Sequence, residues 1–158
     1  MKKAVLAITG GTGFVGTTLI RLAQSQGHRI RALTRSQQTA QEGVEWIPGS
    51  LDLPESLRTL VKGSDAVIHM AGVVNAPDRA GFEAGNVSGT LAMIEATRDA
   101  GVRRFVHVSS LSAREPELSD YGWSKAKAES LVQASALDWT IVRPPWIFGP
   151  GDADTLDL

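Results

Sequence analysis

The sequence predicts an α/β fold, a doubly wound parallel sheet with helices on both faces. Short apolar runs rich in Val and Ile alternate along the chain with longer segments of helical periodicity. A glycine cluster, TGGTGFVG, follows the first apolar run and opens the first helical segment. Because parallel strands are joined by crossovers that cover the sheet, this alternation predicts one sheet buried on both faces.

The predicted elements follow from apolar runs, helical spacing and turn residues. Six strands are predicted, at KAVLAITG, HRIRALTR, GVEWIP, DAVIHMAG, VRRFVHVSS and DWTIVRPP. Four helices are predicted, at GFVGTTLIRLAQSQG, DLPESLRTLVKG, GFEAGNVSGTLAMIEATRDAG and LSDYGWSKAKAESLVQASA. The third is interrupted early by Gly85 and Gly89. The second should begin with Pro54 in its first turn and a capping box of Asp52 and Glu55. The apolar side of the first helix is expected to hold Phe14, Leu19, Ile20 and Leu22.

The amino-acid composition favours some classes of function and excludes others. The 158 residues suffice for one domain, assigned to residues 1–158. Sixteen Lys plus Arg against seventeen Asp plus Glu give a net charge of -1, which favours a small-molecule partner over nucleic acid or an anionic membrane. The lack of cysteine excludes thiol chemistry and suits a cytoplasmic location. The opening run AVLAI is read as a strand, and neither a signal peptide nor a membrane span is expected.

The glycine cluster lies where a dinucleotide-binding turn must lie. Both G-x-G-x-x-G and G-x-x-G-x-x-G are satisfied within it. Such a site needs a tight turn, a backbone without Cβ where the pyrophosphate approaches, and a helix N-terminus for the phosphate oxygens. A flexible turn that binds nothing is the alternative. The predicted cofactor contacts are Gly10, Gly11, Thr12, Gly13, Phe14, Val15 and Gly16.

The end of the second strand favours NADP over NAD. An NAD site usually places an acid there for the ribose hydroxyls, whereas an Arg suits the 2'-phosphate of NADP. Here Thr34 and Arg35 end the strand and the first acid is Glu42. NADP is therefore expected, NAD stays open, and a solvated charge is the other reading of Arg35.

Together these pieces resemble the short-chain dehydrogenase/reductase superfamily, in particular its extended and atypical NAD(P)-dependent epimerases, dehydratases and reductases. The matching motifs are TGGTGFVG, VIHMAG, NVSGT, FVHVSS, YGWSK and RPPWIFGPGD. The resemblance implies a Rossmann fold with strand order 3-2-1-4-5-6. It also implies a homodimer, found in many relatives, through the helices that contain Asn86 and Tyr121.

The resemblance implies a catalytic set of Tyr121, Lys125, Ser110 and Asn86. The tyrosine would exchange a proton with the substrate oxygen, the lysine would contact the nicotinamide ribose, Ser110 would hydrogen-bond the substrate carbonyl, and Asn86 would join the hydrogen-bond network. A phenol ordinarily titrates near about pH 10, so a general acid or base at neutral pH needs a nearby cation, and Lys125 is one helical turn away. The alternatives are that Tyr121 is a surface phenol, that Ser110 is a strand-end hydroxyl and that Asn86 is a helix cap.

Further cofactor contacts are implied along the same edge. Ala71 and Gly72 would line the nicotinamide ribose, and Pro144 falls at the carboxyl end of the sixth strand. Relatives usually carry an Asp after the third strand for the adenine, where this chain has Ser50, so the Leu51 backbone and Asp52 are expected there instead. Trp146 and Phe148 are read either as an apolar wall beside the nicotinamide or as core. The three histidines are read as structural, and no metal is predicted.

The expected reaction is reversible hydride transfer between a nicotinamide and a carbonyl or alcohol carbon. The short gap from Ser110 to Tyr121 favours a reductase over a sugar-nucleotide epimerase or dehydratase, which stays an alternative. A non-catalytic NADP-binding sensor and an accessory or assembly subunit resembling that of respiratory complex I are two more. Relatives continue beyond RPPWIFGPGD, so the C-terminal substrate region is expected to be truncated or absent, and GDADTLDL resembles the start of a helix.

Overall fold

The structure, a computed structural model, describes residues 3–152. Residues 153–158, which hold most of the helix start expected in GDADTLDL, lie outside this range. Within it, six parallel strands form one sheet in the order β3-β2-β1-β4-β5-β6. The strands are β1 Val5–Thr9, β2 Arg29–Thr34, β3 Val44–Pro48, β4 Ala66–His69, β5 Arg104–Val108 and β6 Asp138–Val142. The predicted fold class and strand order are confirmed.

Helices connect these strands. They are α1 Phe14–Ser25, α2 Pro54–Val61, α3 Arg79–Phe82, α4 Gly89–Asp99 and α5 Asp120–Ala134, with a π-helical segment at Glu83–Ser88 and a 3₁₀ turn at Leu111–Arg114. The long helix expected after β4 is therefore α3, the π-helical segment and α4 in succession. Its glycines allow close packing: a Cβ on Gly85 would overlap Val73, and one on Gly89 would lie 2.7 Å from the side chain of Leu51.

Side chains of the central strands alternate between two cores. Ala7 of β1 faces one core, which contains Leu57 and Leu60 of α2, Met93 of α4 and Val132 of α5. The other core lies under α1 and contains Ile8, Ile20, Ala23, Ile30 and Ala32. The sheet is thus covered by helices on both faces, as predicted. Among residues 3–152, no helix combines the length and apolar character needed to cross a membrane.

Local details differ from expectation at two helices and one strand. Leu22 is exposed because the buried stripe of α1 runs through Gly16, Ile20 and Ala23, and a residue two positions after Ile20 points away from it. The capping box of Asp52 and Glu55 expected at the start of α2 does not form either.

At α2 the N-cap is Leu53 without a side-chain cap, while Pro54 takes the first turn as predicted. The Asp52 carboxylate accepts a hydrogen bond from Ser50 Oγ instead, which lowers the pKa of Asp52. The edge strand β6 is also less covered than a sheet buried on both faces implies, with Trp139 and Val142 exposed.

Candidate active site

The glycine-rich turn joins β1 to α1 with little room for side chains. Gly10 has φ of 75°, and a Cβ there would lie 2.8 Å from the backbone nitrogen of Ala71. A Cβ on Gly16 would overlap the carbonyl oxygen of Gly10. These glycines are therefore required by the tight turn and by close packing of α1 on the sheet.

Gly13 is not required by packing, which makes it informative. It is exposed, and the nearest atom to an added Cβ would be Gly10 O at 3.5 Å. It is also the N-cap of α1, whose start has no side-chain cap and no acidic residue. The first N–H groups of a helix lack helical partners and attract anions. A bare, anion-attracting backbone open to solvent fits the pyrophosphate of a dinucleotide.

A buried hydrogen-bond chain ties this turn to the next strand. Thr9 Oγ1 lies 2.7 Å from His69 Nδ1 and accepts bonds from the backbone nitrogens of Met70 and Ala71. His69 Nε2 lies 3.0 Å from Thr90 Oγ1, which itself donates to a backbone oxygen. Since Thr90 uses its proton there, His69 is the donor to it and accepts from Thr9. His69 is thus a neutral structural residue, and burial lowers its pKa well below the usual range.

A cleft of about 1040 Å³ opens at the carboxyl ends of the central strands. This is the edge at which ligands bind in open α/β sheets. The cleft collects all four residues of the predicted catalytic set and four other predicted cofactor contacts, whereas Ala71 is not among its lining residues. Those lining it are Phe14, Val15, Gly72, Asn86, Ser110, Tyr121, Lys125 and Pro144.

Tyr121 lies in the first turn of α5, whose start is well fixed. Ser119 caps the helix by accepting a hydrogen bond from the backbone nitrogen of Gly122 at 2.9 Å. A Cβ on Gly122 would lie 2.7 Å from the carbonyl oxygen of Ser112, so α5 packs closely on the 3₁₀ turn. The half-buried ring of Tyr121 leans on Phe82, with centroids 6.1 Å apart and planes at 59°.

Lys125 follows one turn later and is only 5% exposed. Its Nζ donates a hydrogen bond to the carbonyl oxygen of Val108 at 2.9 Å. Burial lowers the pKa of Lys125 to about 8, although the Glu129 carboxylate opposes that shift. Lys125 therefore keeps its proton at neutral pH while its charge is poorly hydrated.

Ser110 follows β5 and is half-buried. Its Oγ accepts a hydrogen bond from the backbone nitrogen of Ser112 at 3.2 Å, which caps the 3₁₀ turn. This leaves its own proton to donate. The backbone nitrogen of Leu111 donates to the carbonyl oxygen of Pro144 at 3.0 Å, so the segments after β5 and β6 are joined beside the cleft.

Asn86 is buried in the π-helical segment and forms hydrogen bonds that hold two segments of the cleft wall together. Its Oδ1 accepts from the backbone nitrogen of Val73 at 2.6 Å, and its Nδ2 donates to Val73 O at 2.8 Å and to Ser124 Oγ at 2.9 Å. A Cβ on Gly72 would lie 2.7 Å from Asn86 Oδ1. Asn86 thus fixes the loop after β4 to α5, and its part in catalysis stays a prediction.

An ion pair behind Lys125 joins α5 to the end of β6. Arg143 binds the Glu129 carboxylate with two hydrogen bonds, of 2.9 and 2.6 Å. Burial alone would raise the pKa of Glu129, but the two hydrogen bonds from Arg143 and its positive charge hold that pKa below its usual value. Glu129 is therefore an anion, and it favours the charged form of the nearby lysine.

The residues expected at the adenine end lie outside the lining of this cleft. Thr34 is buried, and its Oγ1 donates to the carbonyl oxygen of Ser36 at 2.7 Å. Arg35 is exposed just after β2. Leu51 packs its side chain against the core, so only its backbone suits a cofactor contact. Contacts of Thr34, Arg35, Ser50 and Leu51 with a cofactor stay predictions.

Sequence reasoning missed an apolar part of the cleft. Val74, Leu111 and Leu118 line it and are exposed. A signal existed, since two of them are the only large apolar residues of the mainly polar stretch SSLSAREPELSD. Trp146 also lines the cleft, whereas Phe148 does not, and both are exposed rather than core. Within residues 3–152, no group of three or more metal-binding side chains is found.

Comparison with known proteins finds relatives that bind NAD(P). A family model described as NAD(P)H-binding matches residues 10–155. A ceramide reductase of Caulobacter vibrioides is 44% identical over 160 residues, covering 99% of this chain and 50% of that protein. YhfK of Bacillus subtilis, an uncharacterised sugar epimerase, is 32% identical over 148 residues, covering 87% of this chain and 69% of that protein.

A solved structure gives the same picture. A short-chain dehydrogenase/reductase superfamily protein from Agrobacterium tumefaciens, crystallised with NAD, is 29% identical and superposes with a TM-score of 0.77. The match covers 88% of this chain and 48% of that one. The chain thus spans about half the length of the first of these curated relatives and of this structure.

Proposed function

We propose that this chain is an NADP-dependent reductase of carbonyl compounds. The premise is that the chain belongs to the NAD(P)H-binding family of short-chain dehydrogenase/reductase proteins. The observation that carries the proposal is the convergence of Ser110, Tyr121 and Lys125 on one cleft beside the glycine-rich turn. The name of the Caulobacter relative, ceramide reductase, supports reduction as the reaction.

The site residues divide the work as follows. The turn from Gly10 to Gly16 would hold the pyrophosphate of the cofactor, and Arg35 would bind its 2'-phosphate. The nicotinamide ribose would lie against Gly72 and Lys125. When bound, NADPH supplies a hydride to the carbonyl carbon. Ser110 donates a hydrogen bond to the carbonyl oxygen and orients it.

Tyr121 completes the reduction. As the C=O π bond breaks, its hydroxyl proton passes to the substrate oxygen and an alcohol forms; the phenolate then regains a proton from water. Lys125 stays cationic at neutral pH, since its pKa is about 8, and it lies one helical turn after Tyr121. A cytoplasmic location and a homodimer through the helices of Asn86 and Tyr121 belong to the same proposal and rest on composition and resemblance.

The direct test is Tyr121→Phe, which keeps the ring and removes the proton. Loss of a general acid should lower the rate of NADPH-dependent ketone reduction by about 10² to 10⁴ fold. NADPH affinity, measured by fluorescence titration, should change less than about twofold, because a missing hydroxyl leaves the phosphate contacts intact.

The matched control is Ser130→Ala, which deletes a hydroxyl on the exposed side of the same helix. It should leave rate and affinity unchanged. Equal turnover by Tyr121→Phe and the parent chain would refute the assignment.

A further inference from the structure

The cleft that contains Tyr121 has an unusually apolar rim. Twelve large apolar side chains of the described residues are exposed, and six of them line this one cleft. Leu118 is 81% exposed and Val74 is 73% exposed. Scattered exposed apolar residues are ordinary, but their concentration around a concave site marks a binding surface. The six are Val15, Val74, Leu111, Leu118, Trp146 and Ile147.

The charged residues that line the cleft also favour an apolar ligand. Among the described residues that line it, the charged ones are Glu115, Lys125 and Asp152. The single cation of the three, Lys125, is buried and bound to the carbonyl oxygen of Val108. A nucleoside diphosphate carries its negative charge on phosphates that are normally held by Arg or Lys. Because the described lining residues include no exposed Arg or Lys to bind phosphates, the cleft disfavours a sugar-nucleotide substrate.

We propose that the substrate is a carbonyl compound carried on a long hydrocarbon chain. Its carbonyl lies at Ser110 and Tyr121, and its chain lies along the rim formed by Val74, Leu111 and Leu118. This inference rests on the proposed function, since it places the carbonyl at the site of proton transfer. It adds the chemical class of the rest of the substrate.

The proposal predicts a dependence on chain length. Each methylene that moves from water onto an apolar surface strengthens binding by up to about fourfold. A polar or sugar substrate site would show no such trend, because hydrogen bonds and charge pairs would supply its affinity.

The experiment uses 2-butanone, 2-hexanone, 2-octanone and 2-decanone with the NADPH-saturated protein. Binding is followed by tryptophan fluorescence, since Trp146 lines the cleft, and turnover by NADPH absorbance. The dissociation constant should fall at least about 100-fold from 2-butanone to 2-decanone. UDP-glucose at millimolar concentration should not displace 2-decanone. A flat series, or displacement by UDP-glucose, would overturn the proposal.

Variants locate the effect on the rim. Leu118→Ser should weaken 2-decanone binding about tenfold and leave 2-butanone unchanged, because only the longer chain reaches that side chain. Leu53→Ser is the matched control, an exposed leucine that does not line the cleft. If Leu53→Ser weakened 2-decanone binding as much as Leu118→Ser, the rim would not be the binding surface.

The two proposals fail separately. Chain-length-dependent binding without NADPH oxidation would refute the reductase and keep the apolar ligand class. NADPH oxidation with every ketone alike would keep the reductase and refute the ligand class.

Discussion

At the residue scale, the ionisable side chains beneath the cleft are controlled by burial. Burial lowers the pKa of Lys125 to about 8 and that of His107 to about 3. The Lys125 charge lowers the pKa of His107 further, while Glu129 opposes the shift. His69 stacks on His107, with ring centroids 5.5 Å apart. At neutral pH both rings are therefore uncharged and Lys125 is the cation of this layer.

The buried His107 should lower the free energy of unfolding at neutral pH and make the fold sensitive to acid. Neither of its ring nitrogens has a hydrogen-bond partner among the described residues. His107→Leu should raise the free energy of unfolding at pH 7 by about 1–2 kcal/mol, because it removes an unsatisfied buried polar group.

The pH dependence of this effect has a definite sign. A histidine whose folded pKa is lowered to about 3 takes up its proton first in the unfolded chain. Parent stability should fall as pH drops from about 6.5 towards 3, and urea denaturation of His107→Leu should show a shallower fall. His28 is a contrast, since its Nδ1 accepts a bond from the backbone nitrogen of Ala4, so His28→Leu should lower stability. An unchanged acid slope in His107→Leu would contradict this account.

At the scale of the element, strand ends and helix starts build the site. The alternation of apolar runs and helical spacing was enough to predict each strand, because buried parallel strands carry few polar residues. It could not predict the π-helical segment at Glu83–Ser88, since one extra residue per turn leaves no clear mark in a short stretch. Nor could it show that Asp52 prefers the Ser50 hydroxyl to capping α2.

The turn after β2 carries the choice of cofactor. None of the ion pairs in the described part of the chain involves Arg35, so its guanidinium is available to a 2'-phosphate. Arg35→Ala should weaken NADPH binding about tenfold, the value of one charge-assisted hydrogen bond, and leave NADH binding unchanged. Titration of both nucleotides checks this. Arg21→Ala, at an exposed arginine on α1, should affect neither. Equal losses for NADH and NADPH would contradict the preference.

At the scale of the whole molecule, six chain segments meet at one edge of the sheet. The family resemblance implied that Ser110, Tyr121 and Lys125 share one site, and all three line the cleft at the carboxyl ends of the strands. The contribution of Val74, Leu111 and Leu118 to the apolar rim was not predicted, because hydrophobic periodicity does not reveal side-chain direction in loops or in a single 3₁₀ turn. Its composition became informative only when the fold brought these loops around the proposed site of proton transfer.

The central claim is that a hydride passes from the cofactor to a carbonyl carbon in this cleft. Incubation with C4-deuterated NADPH, carrying the label on the transferred side, and 2-decanone tests it by mass spectrometry of the product. The account predicts 2-decanol with one deuterium on the carbinol carbon, formed as NADPH is consumed, and almost none with Tyr121→Phe. Stable bound NADPH with no labelled alcohol would contradict it and would favour a sensor or structural role for the cofactor.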